Sequence, residues 1–544
     1  MLVYLLIIVA VIALVWALRT LKRNGSADRI ALIIGSIATV GAAIGYRGLM
    51  NGITAEKLAL IDETALSWTG NLGLALNPMM AALFVALAVA VVAQIFLSFF
   101  APEMTLQSNA DGTLMRRSGP LGHVENAVKW LFLGLIIGAL IYICVGVLFP
   151  YATVGIVGNI AKQFTPVWIA LIATFVVSIV YKRKLGLYGK LFDSTVGMIG
   201  FALVMFWVFT AIFTGAFDMI ATHDPLGQVS GLKNKLPGVA MPDADAPYPH
   251  YLLGGDNLAR DIFSRMVHGS VIVIAIAPLA TIFAFMVGIT LGLPAGFYGG
   301  KLDTGLSFAA NLILAFPVIL LFYLLVTPEI VETGIPSFMA AFLFIFPLVF
   351  FGVLLNSRFY TQPSKRTPML IAVLGVLGVL YLSMISQKGT ILNFLPSWLD
   401  LFDVDAGILV VFVSVVFVNS PTVFRIVRGL ALDLRTRDYV AAAQTRGEGA
   451  WYIMLWEILP NARGPLIVDF CLRIGYTTIL LGTLGFFGLG LPPESPDWGS
   501  TINEGRKLLL IFVHPPLPPA VALLTLVLGL NLLADGLREE SLKD

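Results

Sequence analysis

Nucleotide hydrolysis needs a Gly-rich loop ending in Gly-Lys-Ser/Thr, because backbone N–H groups must cradle the phosphates while the lysine reaches them. Both Gly-Lys pairs of this sequence, Gly189-Lys190 and Gly300-Lys301, are followed by leucine and lack the earlier glycine. No H-E-x-x-H, C-x-x-C or G-x-S-x-G run occurs, so metalloprotease, thiol-redox and hydrolase chemistry have no anchor. The histidines His123, His223, His250, His268 and His514 are scattered rather than set at ligand spacing and read as surface residues. Cys144 and Cys471 sit in apolar runs and read as small buried hydrophobes. Asp469 and Arg473 are four apart, the spacing of a pair on one helical face. The glycines from Gly482 to Gly490 suit close helix packing. The chain is therefore expected to be no enzyme and to bind no metal or cofactor itself.

The segment PTVFRIVRGLALDLRTRDYVAAAQTRGEGAWYIMLWEILPNARGP, residues 421 to 465, is more specific. Asp438 to Arg446 is Ala-rich and favours helix, Gly447 breaks it, Ala450 to Leu459 resumes, and Pro460 stops the second helix. Trp451, Leu455 and Ile458 recur at helical spacing on a stretch too short to span a membrane, so that face needs a protein surface to cover it.

The elements that position this segment follow from composition. Of 544 residues, 58% are hydrophobic and 12% charged, against roughly a quarter charged in soluble domains. Spans need about 20 residues each, so no large soluble catalytic domain fits beside a dozen of them. The apolar residues come in long runs rather than alternating strands, which predicts helices and not a barrel. Thirteen runs qualify: 1 to 18, 29 to 46, 79 to 100, 127 to 149, 166 to 181, 195 to 217, 270 to 297, 303 to 327, 336 to 355, 368 to 386, 406 to 424, 464 to 488 and 517 to 536. The first lacks a basic flank before it and a cleavage site after it, and reads as a retained helix. A net charge of +2 gives no signal for nucleic acid.

With the N-terminus outside, the inner loops hold Arg19-Lys22-Arg23, Arg116-Arg117, Lys182-Arg183-Lys184, Lys301, Arg358-Lys365-Arg366, 425 to 463 and Lys543. The outer loops then hold Glu56 to Glu63, Glu329 with Glu332, and Asp400 to Asp405. That is the distribution the positive-inside rule requires. It puts the loop 218 to 269 outside and the C-terminus in the cytoplasm.

YVAAAQTRG from Tyr439 to Gly447, eleven residues, then LPNA from Leu459, resembles the cytoplasmic EAA loop of ABC importer permeases. The resemblance continues in LLGGDNLARDIFSRMVHGS (252 to 270), GFYGGKLDTGLSFAANLILAFP (296 to 317), LGFFGLGLPPESPDWGSTINEGR (484 to 506) and NLLADGLRE (531 to 539). Together these are similar to the C-type subunit of dipeptide, oligopeptide and nickel permeases.

The resemblance implies an all-α polytopic membrane protein of the bacterial plasma membrane, with a type I ABC importer core of six helices and about seven added ones. Residues 1–194 would be an N-terminal extension of five helices, 195–327 and 406–544 the two parts of the core, and 328–405 an insertion of two helices. It implies an ATPase-coupling loop, 425 to 463, carried by Tyr439, Ala441, Ala442, Ala443, Gly447, Trp451, Leu455, Leu459 and Pro460. Ala441 departs from the family's glutamate. The implied partners are a second permease chain in a heterodimer, two ATPase subunits holding ATP and Mg, an extracytoplasmic binding protein, and lipid. The implied cargo is a peptide, with nickel chelates, opines and glycosides as alternatives. An ATP-independent secondary transporter is the competing class. It would need charged or broken helices at the midplane and no docking loop.

Overall fold

The computed structural model describes residues 66–68, 70–100, 104–108, 114–148, 151–243, 246–386, 406–489 and 495–541. The runs expected at 1 to 18 and 29 to 46, and the acidic stretches 56 to 63 and 400 to 405, lie outside them. Helix dominates, as it must where the bilayer offers backbone groups no water. Backbone contacts divide the chain into two units, one holding residues up to Thr165 with Lys235–Gly254, the other Pro166–Asn234 with Gly255–Asp544.

In the first unit, α1 (Gly70–Phe100) and α2 (Pro120–Leu148) pack through Phe84, Leu87, Val128 and Leu135. An antiparallel hairpin of β1 (Met104–Ser108) and β2 (Leu114–Ser118) joins them, with Met104 opposite Ser118. A shorter helix, α3 (Tyr151–Gln163), kinks at Gly155 and accepts a 2.5 Å hydrogen bond from the Tyr142 hydroxyl at the Val154 carbonyl. The two-residue strands β3 (Val239–Ala240) and β4 (His250–Tyr251) pair nearby in this unit.

The second unit is built around two parallel helices. After α4 (Thr165–Tyr181) and α5 (Thr195–Gly215) come α6 (Ile262–Tyr298), the bent pair α7 (Gly300–Leu314) and α8 (Val318–Val326), then α9 (Ile335–Leu343), α10 (Ile345–Arg358) and α11 (Pro363–Ile385). They are followed by α12 (Ala406–Leu434), α13 (Asp438–Thr445), α14 (Arg463–Phe487), α15 (Trp498–Arg506) and α16 (Leu517–Ser541). A Cβ at Gly288, Gly292 or Gly296 of α6 would lie 2.5, 2.9 or 2.6 Å from Val423, Val427 or Ala431 of α12. Both series advance by four, so the helices run in the same direction and touch along a stripe of small residues, the arrangement that lets backbones approach closely in lipid. Most of the apolar stretch of α12, 78%, is buried, against 11% for α11 and for α4, which makes α12 the central rod and leaves the other two at the periphery of the unit. Across the unit, α5 and α16 pack antiparallel, with Gly197 against Gly536 and Gly529 against Val204.

Nine helices among the described residues are long and apolar enough to cross a membrane, or ten if the bent pair α7–α8 forms one span. That bend corrects the straight helix expected at 303 to 327: the pair turns by 81° at 315–317. Pro317 causes it, because proline supplies no N–H to the helix and disfavours helical backbone at the residue before it. Ala310 of α7 packs on Phe424 in the C-terminal half of α12, while Phe322 and Val326 of α8 pack with Leu409 to Val418 in its N-terminal half. The broken pair therefore packs along both halves of the central rod.

Candidate functional site

The C-terminal ends of α6 and α12 lie together, and the charges there are pinned. Arg435 donates from Nη1 to the carbonyls of Gly296 (3.0 Å) and Phe297 (3.1 Å), capping α6. Arg428 pairs with Asp303, its Nη2 2.7 Å from Oδ2, and Arg425 Nη2 donates to Asn311 Oδ1 at 2.8 Å. Three bases of the expected cytoplasmic segment thus bind this chain's own helices.

Beyond this collar of bases stands α13. It ends in two hydrogen bonds, Gly447 N to Gln444 O (2.9 Å) and Glu448 N to Ala443 O (3.2 Å). This is the pattern that closes a helix through a left-handed residue. Gly447 supplies it with φ of +76°, which explains why glycine stands there. Val440 and Ala443 are buried, whereas Ala441, Ala442, Gln444, Thr445, Arg446 and Gly447 are exposed. One face of α13 is thus anchored, and the other presents small side chains that leave its backbone accessible.

The second helix of the segment, 450–461, is not a plain α-helix. A π turn at Ile453–Ile458 separates short α pieces at Ala450–Tyr452 and Leu459–Asn461. Ile453, Met454, Leu455 and Ile458 are buried against Leu293, Val423, Val427 and Ala431 of α6 and α12. Trp451 and Leu455 line a cleft with Ile289, Thr290, Leu293, Phe350 and Val353. The sequence reading asks for a protein surface over this apolar face, and α6, α10 and α12 of this chain supply it. Hydropathy spacing shows that a face is covered but not whose surface covers it. Arg446 Nη2 donates to Glu457 Oε1 at 2.9 Å, tying the turn to the second helix. Tyr439 and Leu459 are half-buried on the same core, and burial raises the Tyr439 hydroxyl above its ordinary pKa. Pro460 is exposed.

At the other end of α6, about 46 Å away at 1.5 Å per residue from Arg265 to Gly296, lies a buried ionic cluster. Asp261 caps α6, accepting from the backbone N–H groups of Phe263 and Ser264 and from the hydroxyls of Thr222 (2.7 Å) and Ser264 (2.6 Å). Arg260 Nε donates to Asp256 Oδ2 at 2.7 Å, and its Nη2 pairs with Glu504 of α15. Arg265, fully buried, donates to the Ser495 carbonyl and the Thr501 hydroxyl, both at 3.2 Å. Trp498 Nε1 donates to the Met266 carbonyl at 2.7 Å. Burial pushes the Asp497 carboxyl above the usual carboxylate range, although Ser500 hydrogen bonds and the Arg265 charge pull it down. The contacts of Arg260 with Glu504, of Arg265 with Ser495 and Thr501, and of Trp498 with Met266 join segments more than two hundred residues apart, and sequence spacing gave no sign of them.

Other readings resolve plainly. Asp469 and Arg473 do pair, at 2.7 Å. Gly482, Gly485 and Gly499 are packing positions: an added Cβ would lie 2.5 Å from Leu523, 2.0 Å from Asp497 and 2.1 Å from the Gly482 carbonyl respectively. The histidines are not all on the surface, since His250 is buried and His223 lies beside Asp261 with 7% of its side chain exposed.

The family described as "binding-protein-dependent transport system inner membrane component" matches residues 288–539, a range that holds α12, α13 and the π-containing helix. Among curated proteins, the chain is similar to a glutathione transport system permease protein of Pectobacterium atrosepticum, at 29% identity over 54% of this chain and 73% of the relative. It is similar to dipeptide transport system permease proteins of Alkalihalophilus pseudofirmus, at 26% over 60% and 81%, and of Haemophilus influenzae, at 26% over 54% and 73%.

Proposed function

We propose that this chain, a permease subunit of a peptide-type ATP-binding cassette importer in the bacterial inner membrane, takes its power stroke through residues 438–461. The relatives named above carry glutathione and dipeptides, and a short peptide is the proposed cargo here. In this reading 195–327 and 406–544 form the core, 1–194 and 328–405 are additions, the N-terminus is outside and the C-terminus cytoplasmic. A different permease chain completes the path, a binding protein delivers substrate from outside, and two ATPase subunits hold ATP and Mg.

The observation that carries the coupling assignment is the split exposure of α13. Val440 and Ala443 are buried, while Ala441, Ala442 and Thr445 are open at the ends of the two central helices. An ATPase subunit closing on ATP would press on the open face. The motion would pass through Val440, Ala443, Leu455 and Ile458 into the C-terminal ends of α6 and α12, which the glycine stripe locks together. The helices then switch between two arrangements that ATP binding biases. The loss of the family's glutamate at Ala441 removes a charge from this face but leaves its shape.

The test is uptake by the assembled importer in vesicles. Gly447→Pro cannot adopt the left-handed backbone and is expected to abolish uptake while ATP hydrolysis continues. Unchanged uptake would overturn the assignment.

A further inference from the structure

The inserted helices reach the coupling segment. Trp456, in the π turn, donates its indole N–H to the Ser357 hydroxyl at 3.1 Å, and the Arg358 guanidinium lies 4.7 Å from the centre of the same ring. Ser357 is itself fixed, donating to the Leu354 carbonyl at 2.9 Å. One turn back, Phe350 and Val353 form the far wall of the cleft lined by Trp451 and Leu455. All of these partners on α10 come from the C-terminal half of the insertion's first span.

The same span is gripped again near its middle. Phe344, at the junction of α9 and α10, packs edge-on against Phe283 of α6 at 5.2 Å and Phe412 of α12 at 5.7 Å between ring centres. Phe283 and Phe412 also meet, at 5.3 Å. A rod fastened to the N-terminal half of α12 at Phe344, and to the coupling segment at Ser357 and Arg358, lies alongside α6 as a second connection between the middle of the core and its coupling end.

The chemistry of the second grip is specific. Exposed loops meeting by accident rarely satisfy an indole N–H and cover its ring with a guanidinium at once. With i→i+5 bonding, Ile453 and Ile458 share the buried face, and Trp456 is left on the side that meets α10. π turns of this kind recur at functional positions.

We propose that the insertion acts as a strut of the power stroke, with Ser357 and Arg358 as positioning residues that hold the coupling segment at Trp456, so that segment and insertion move as one body. This rests on the assignment of residues 438–461 as the coupling segment. Without the strut, the ATPase subunits would still dock and hydrolyse, but part of each stroke would be spent tilting the second coupling helix on its π turn.

The experiment compares wild type, Ser357→Ala/Arg358→Ala, Arg358→Lys and Trp456→Phe, each assembled with its partner permease, ATPase subunits and binding protein in proteoliposomes, and reads ATP hydrolysed per peptide taken up. For the double alanine variant we expect that ratio to rise roughly tenfold, the scale set by one hydrogen bond and one cation–π contact, with ATPase subunits still copurifying. Arg358→Lys keeps a cation over the ring and Trp456→Phe keeps the ring, so each should show a smaller rise. An unchanged ratio in the double variant overturns the strut while leaving the coupling assignment intact. Uptake and hydrolysis falling together, with Arg358→Lys no better than alanine, would also overturn it, as the mark of a merely structural contact. Failure of the wild-type chain to retain ATPase subunits would instead remove the coupling assignment and the strut with it.

Discussion

The N-terminal end of α6 and the segment packed against its C-terminal end are built on opposite principles. At the N-terminus of α6, Asp256, Arg260, Asp261, Arg265 and Glu504 are each held by directional, charge-assisted hydrogen bonds, several of them to segments far away in sequence. At its C-terminus, the segment 438–461 is held chiefly by aliphatic contacts of Val440, Ala443, Met454, Leu455 and Ile458. Hydrogen-bonded charges lose most of their energy with small displacements, whereas apolar surfaces can slide and tilt with little loss. The first end is suited to stay fixed and the second to move.

The comparison would break first at the ionic end. Arg260→Ala takes the hydrogen-bonded cation from the buried Asp256 and the half-buried Glu504, leaving Arg265 3.9 Å from each, and should cost about 3 kcal/mol, the low end for removing one partner of a buried pair. The thermal midpoint of the purified protein reads it. A midpoint within a degree of wild type would show that the cluster is not a fixed point.

Between the ends, Gly288→Ala puts a methyl 2.5 Å from Val423 and 2.9 Å from the Phe424 backbone nitrogen. Overpacking of this kind should cost about 1–3 kcal/mol. If α6 and α12 carry motion as one piece, uptake should fall further than stability does, and uptake and midpoint measured on the same preparation separate the two.

At the apolar end, Gly447→Ala forces a Cβ into left-handed backbone, at about 1–2 kcal/mol. That strain should appear locally, as faster hydrogen exchange at the end of α13, with the global midpoint nearly unchanged. A drop in midpoint as large as that of Arg260→Ala would erase the distinction between the ends. Smallest of all, Ala441→Glu restores a charge on an exposed face and should change stability by less than about 0.5 kcal/mol. Its effect should be confined to ATPase affinity, measured by titrating the ATPase subunits onto the reconstituted permease.

How much of this could be read from the residues themselves follows the same division. The helix of Asp438 to Arg446, its stop at Gly447 and the Asp469–Arg473 pair were legible because each depends on neighbours within a few positions. The bend at Pro317 was signalled by a proline but hidden inside a continuous apolar run. The pairing of Arg260 with Glu504, and the seat of Trp456 between Ser357 and Arg358, were not legible. They depend on which distant segments lie side by side, and hydropathy carries no such register. Trp456 did carry one hint, since it falls off the Trp451, Leu455 and Ile458 stripe and its indole N–H needs an acceptor wherever it is buried.

The central claim is that the open face of α13 is where the ATPase subunit bears. Single cysteines at Ala442→Cys, Ala443→Cys and Leu510→Cys, in a background without Cys144 and Cys471, test it by short-span cross-linking in the assembled importer. Ala442 is exposed on that face, Ala443 is buried on the opposite one, and Leu510 is fully exposed in the loop after α15. The account predicts a cross-link to an ATPase subunit from position 442 that strengthens when ATP is bound, and none from 443 or 510. Absence of a cross-link at 442, or an equal one at 510, would contradict it.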